Sequence, residues 1–260
     1  MRHSFLDQYS NLDSPVRRLD PRTKFLLALL FIVAVVLTPI GNWLVLGAYF
    51  GLLATVFILS RLPLSHVLKR SAIILPFVLL LGVINLFTRP GAEVFGLDMG
   101  SWHFGVTDSG LLFVGTLLLR SWLAVLALIL LSSTTPLPNL LKGLEKLKLP
   151  KIMVMILSFM YRYLFLLIDE VLRMKQARDS RTVGAMSNSF QAKTVGAMIG
   201  TLFIRSYERG ERVYAAMVAR GFDGSSRTLN ELAFSRNDAV AVLIVGMLIL
   251  LPSMTRLILT

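Results

Sequence analysis

Apolar runs of nearly bilayer-crossing length punctuate this chain: about Lys24 to Leu37, Trp43 to Leu59, Ser71 to Phe87, Gly110 to Leu131 and Ala239 to Leu251. A helix needs about 20 residues to cross the hydrocarbon core. In lipid every backbone N–H and C=O must be satisfied within the protein, so runs of this kind leave helices as the only spanning solution for such segments. The sequence predicts an all-α membrane protein with about five transmembrane helices. Composition agrees, because only 16% of the 260 residues are charged, against about 25% in a soluble domain.

The net charge of +12 is unevenly placed, with sixteen of the 27 Lys and Arg between Ser132 and Asn237. Positive charge stays on the cytoplasmic side of a membrane. That rule divides the chain into an N-terminal cytoplasmic segment with four spans (1–131), a cytoplasmic region (132–237) and a last span (238–260). Ile152 to Ile168 is apolar enough to cross, but crossing there would strand eleven Lys and Arg, from Arg173 to Arg236, outside. The absence of Cys fits a cytoplasm-facing protein without a disulfide framework.

Local signals sharpen the boundaries. Asp20-Pro21 reads as a cap and first-turn Pro. Pro39-Ile40-Gly41-Asn42 reads as a tight turn, Pro76 as an interruption of the third span, and Thr88 to Ser109 as a Gly-rich loop. After Thr135-Pro136-Leu137-Pro138, leucines 137, 140, 141, 144 and 147 recur at helical spacing among Lys142, Glu145, Lys146 and Lys148. That is a short amphipathic helix of the interfacial kind. Two long helices follow, Pro150 to about Val183 and Phe190 to Arg220, the second closed by Gly221. Seven of eleven Met fall between Pro150 and Gly221, which suits adaptable packing. Gly196 and Gly200 are spaced for a close helix crossing. The apolar faces of the two helices are expected to pack on each other or on a partner.

Several chemistries are missing. No G-x-x-x-x-G-K-[ST] loop is present, so no ATPase is expected in this chain. His3, His66 and His103 are isolated, so a metal site is not expected. No Asp or Glu lies within the five spans, whereas cation-moving secondary transporters use such groups. Arg120, near the middle of the fourth span, must pair, snorkel or contact a partner within the membrane. The basic region reads as amphipathic helices and not as a nucleic-acid stripe. What remains are two Ala-Arg motifs near the ends of the two long helices, Ala177-Arg178-Asp179 and Ala219-Arg220-Gly221. Arg presents a planar fork of donors matched to carboxylates. Each alone also reads as a cation on a helix C-terminus, while the pair suits a partner with two equivalent sockets.

Three stretches resemble the CbiQ/NikQ family, the transmembrane T components of energy-coupling-factor ABC transporters for cobalt and nickel. They are Leu12 to Lys24 (LDSPVRRLDPRTK), Leu149-Pro150-Lys151 leading through Tyr161-Arg162-Tyr163-Leu164-Phe165 to Ala177-Arg178, and Ala219-Arg220-Gly221-Phe222. The first motif carries Asp179 where the family often has Gly, leaving Arg178, which is preferred, or Arg181 as its reaching residue. The resemblance implies a non-catalytic subunit of the bacterial or archaeal cytoplasmic membrane. Its partners would be two CbiO/NikO-like ATPases that bind ATP, a CbiM/NikM-like substrate subunit that holds the metal, and a small accessory membrane subunit. Ala177, Arg178, Asp179, Ala219, Arg220 and Gly221 would be the ATPase-coupling residues, and this chain would bind no cofactor. The alternatives are a vitamin-transporting T component or, in another class, a stand-alone permease or membrane enzyme.

Overall fold

The structure, a computed structural model, describes residues 14–17, 19–88, 90, 92–99, 102–181, 187–224, 238–243 and 245–247. Leu12-Asp13, the Thr182 to Met186 stretch, Arg227, Arg236 and the last span beyond Met247 lie outside the described residues. The protein is an all-α membrane protein: α1 Pro21–Leu37, α2 Trp43–Ser60, α3 Leu64–Ala72, α4 Leu75–Thr88, α5 Asp108–Thr134, α6 Leu137–Lys146, α7 Lys151–Arg181 and α8 Asn188–Ala219. A last helical segment covers Asp238–Met247. The chain divides into two compact units, one built on residues 4–143 and the segment from 232, the other on 144–231.

In the first unit, α1 begins where the sequence says. Asp20 accepts the Arg22 N–H at 2.9 Å, and Pro21 fills the first turn. The helix stops at Thr38, whose extended backbone (φ −61, ψ 137) is what a following proline imposes. The same rule ends α5 at Thr135, before Pro136 (φ −133, ψ 112). The third span is two helices. Pro76 has no N–H to give the Ala72 carbonyl, so α3 ends at Ala72 and α4 starts at Leu75. The loop expected between Thr88 and Ser109 carries a small antiparallel hairpin, β1 Glu93–Met99 with β2 Trp102–Thr107.

The core forms where α5 packs on α1 and α2. Phe31, Val35, Leu46, Tyr49, Leu53, Leu123 and Leu130 are among its buried members, with Phe31 and Tyr49 edge to face at 5.6 Å. A buried polar knot sits at the start of α1. The Asp238 carboxylate accepts the Asp20 N–H at 2.7 Å and the Thr23 hydroxyl at 3.4 Å. The Lys24 ammonium donates to the carbonyls of Arg17 (2.9 Å) and Thr134 (3.5 Å).

Among the described residues, length and composition select four helical stretches as candidate spans: Trp43–Ser60, Val67–Leu86 (across α3 and α4), Asp108–Thr134 and Lys151–Arg181. At 17 residues, α1 rises only about 26 Å, a little under the hydrocarbon thickness. Composition thus admits α7, which the sequence reading sets aside on the charge that follows it.

Candidate functional site

The second unit carries both Ala-Arg motifs. Pro150 opens α7, its carbonyl accepting the Met153 N–H at 3.0 Å. The helix runs for 31 residues, roughly 46 Å, and ends with Arg178 and Arg181 in its last turn. Cations there complement the negative helix end. Ser187 precedes α8, whose 32 residues end at Ala219.

The far end of α8 is closed by its own backbone. The Phe222 N–H reaches the Met217 carbonyl at 3.1 Å and the Gly221 N–H reaches Val218 at 2.9 Å. This six-to-one, five-to-two pattern is the Schellman motif, which needs a left-handed residue just past the cap. Gly221 supplies it at φ +79. Arg220 is therefore the cap residue, on the last firmly held turn, and its side chain lies on an exposed position.

The first motif is arranged differently. Arg178 folds back on its neighbour: Nε and Nη2 donate to the Asp179 carboxylate at 2.9 and 2.7 Å. Ala177, Asp179, Arg181, Ala219 and Gly221 are all exposed. Both motifs thus present a small residue and a guanidinium at a helix end, Arg178 with a built-in counter-ion and Arg220 with none among the described residues.

Between these ends the helices touch over a short stretch. Glu170 marks it. Its carboxylate accepts Arg173 Nη2 of α7 at 2.7 Å and also pairs with Arg205 Nη1 of α8. Glu170 lies past the apolar part of α7. The hydrogen bond from Arg173, then that from Arg205, hold its carboxyl below the usual range. Beside the crossing is an apolar groove of about 410 Å³, lined by Met155, Phe159 and Tyr163 of α7 and by Val213 and Met217 of α8, with Phe222. Outside it the apolar faces are largely uncovered: Ile152, Met160, Ile199, Phe203 and Tyr207 are each more than half exposed. The expectation that Gly196 and Gly200 mediate a close crossing is not met among the described residues. A Cβ at either would meet nothing within 4 Å, because α7 lies against the opposite, later part of α8.

Arg120, in the first unit, does find a partner in its own chain. Its Nη2 donates to the Thr38 carbonyl, one of the carbonyls that α1 leaves open at its C-terminus. Its Nε has no partner among the described residues. The neighbouring Thr116 hydroxyl accepts the Gly41 N–H at 3.3 Å. Arg120, at the middle of α5, thus stands beside the α1–α2 turn. Among the described residues no three His, Asp or Glu gather as metal ligands.

Two groups escaped the sequence reading. Glu170 and Arg173 sit at i,i+3, a local signal, but Arg205 is 35 residues away. Asp238 stands at the head of the last apolar run, where only its acidity hinted at a capping role.

Comparison with known proteins gives a consistent result. Residues 13–230 match CbiQ, described as a cobalt transport protein. The energy-coupling factor transporter transmembrane protein EcfT of Heliobacterium modesticaldum is 31% identical, over 95% of this chain and 95% of its own. That of Clostridium kluyveri is 28% identical over 97% and 96%. An uncharacterized protein of Methanocaldococcus jannaschii is 30% identical over 85% of this chain and 75% of its own length.

Proposed function

The chain belongs to the CbiQ family, the transmembrane T components of energy-coupling-factor transporters, and on that premise we propose that it transmits ATPase motion to a substrate-binding membrane subunit in an importer of cobalt or nickel ions. Segment 132–237 and the N-terminus face the cytoplasm, with α7 and α8 as coupling helices. Arg178 and Arg220 enter acidic grooves on two ATPase subunits. When ATP closes the ATPase pair, the grooves move and carry the helix ends with them. ATP stays on the ATPases and the metal on the substrate subunit, so this chain acts without a cofactor and without catalysis. The observation that carries the reading is the pair of Ala-Arg ends on two helices of one unit, Arg178 half-buried against Asp179 and Arg220 exposed, the second held by the Gly221 cap. The family description supports the metal as cargo.

The test is the assembled complex in four backgrounds: wild type, Arg178→Ala, Arg220→Ala and the double variant. A charge-assisted contact contributes about 1.5–3 kcal/mol, so each single change should lower ATPase retention about tenfold or more. The double variant should release the ATPases and abolish metal uptake, because the second contact is effectively intramolecular once the first is made. A double variant that retains the ATPases and imports metal at the normal rate overturns the coupling role. Metal analysis of the purified complex tests the cargo, and a complex that imports a vitamin and no metal overturns that part.

A further inference from the structure

We propose that Glu170 is the positioning residue of the coupling pair: its carboxylate, gripped by Arg205 of α8 and Arg173 of α7, fixes the crossing so that a displacement at one Ala-Arg end reaches the other. The proposal deepens the reading of α7 and α8 as coupling helices and rests on it for its functional part.

Packing alone does little to hold the angle. Among the described residues α7 buries only Val154 and α8 none. One side of the crossing is the open apolar groove, and apolar contact is non-directional, so the helices can roll on it. The ion pair is directional. One carboxylate oxygen faces each guanidinium, and Arg173, three residues on, turns the carboxylate so that the other oxygen faces α8. The Glu170 side chain is only 17% exposed, against 57% for Arg205, so the acid is the sheltered partner. Arg178 lies eight residues beyond Glu170 and Arg220 fifteen beyond Arg205, about 12 and 22 Å of helix. With lever arms of that length, a small rotation at the crossing becomes a shift of several ångströms at the ends. Glu170 and Arg205 line a cavity of about 140 Å³ together with Glu208, Arg209 and Arg212. Removing Arg205 alone would leave substitutes at hand, so the test reverses charge.

The variants are Glu170→Arg, Arg205→Glu and the double reversal, in which residue 205 brings a carboxylate to Arg173 and the new arginine. Glu170→Gln is added as a near-isosteric variant that keeps the helix intact. In the full chain, spin labels at Ser180→Cys and Ala216→Cys read the crossing directly, with no native Cys to interfere. Each single reversal should broaden the interspin distance distribution, Gln should broaden it less, and the double reversal should narrow it again. In the complex, the single reversals should keep the ATPases bound, since Arg178 and Arg220 are untouched. Metal imported per ATP hydrolysed should fall about tenfold and return to within about threefold in the double. Unchanged distributions in the single reversals and in Gln, or a double no narrower than the worse single, overturn the pivot. A wild-type chain that retains no ATPase overturns the coupling reading instead, and the distance measurement still judges the pivot.

Discussion

At Arg178 the chain's own chemistry competes with that of its proposed partner. Both of its described donors rest on Asp179, whereas Arg220 is followed by Gly221, which has no side chain to compete. Exposed pairs of this kind contribute about 0.2–1 kcal/mol. Asp179→Asn should therefore strengthen ATPase retention by up to about fivefold, read as a higher salt concentration needed to strip the ATPase from the complex. Release at the wild-type salt concentration would mean that Asp179 does not hold Arg178 back. The departure at Asp179 was readable in the sequence, but its bond to Arg178 was not, since either side chain has many rotamers. Arg120 gives a second case. Arg120→Met leaves the Thr38 carbonyl without its charged donor, a loss of about 1–3 kcal/mol. The purified variant should melt several degrees lower in detergent while membrane insertion is unchanged. Wild-type melting would assign the guanidinium a different partner.

The elements were legible where proline, glycine or a capping acid punctuates them. Asp20-Pro21, Pro39, Pro136 and Gly221 each mark a boundary seen in the structure, because each acts through its own backbone and needs no distant partner. Gly221→Ala tests this at α8. A residue with a Cβ in the left-handed region costs roughly 1–2 kcal/mol. The last turn should fray, with faster amide exchange at Val218 to Phe222, and ATPase retention should drop although Arg220 is unchanged. Protection at the wild-type level would show that the cap does not hold the turn. The hairpin Glu93–Met99 with Trp102–Thr107 was illegible for the opposite reason. Gly96, Asp98 and Gly105 are poor strand formers, and a strand exists there only because its partner does. The helix crossing was illegible too: a small-residue spacing at Gly196 and Gly200 shows that a close approach is possible, not which surface makes it.

For the whole molecule, the proposed division of the chain between membrane and cytoplasm rests on charge. Single Cys residues at Lys175 and Lys193, one on each long helix, should be shielded from an impermeant reagent added to intact cells. Labelling at either position from outside would place the second unit across the membrane or beyond it. A count of Lys and Arg, which needs no coordinates, argues for the cytoplasm, whereas apolar length and composition admit α7 as a span, and the labelling decides between them. The knot at the start of α1 was the part least open to the sequence, because its two acids stand 218 residues apart. That separation sets an order of events in biosynthesis. The Asp20 N–H stands at the start of α1, and the carboxylate that receives it stands at the start of the Asp238–Met247 helix. When α1 leaves the ribosome, Asp238 has not yet been translated. The contact therefore closes late, after α2 to α8 have been made.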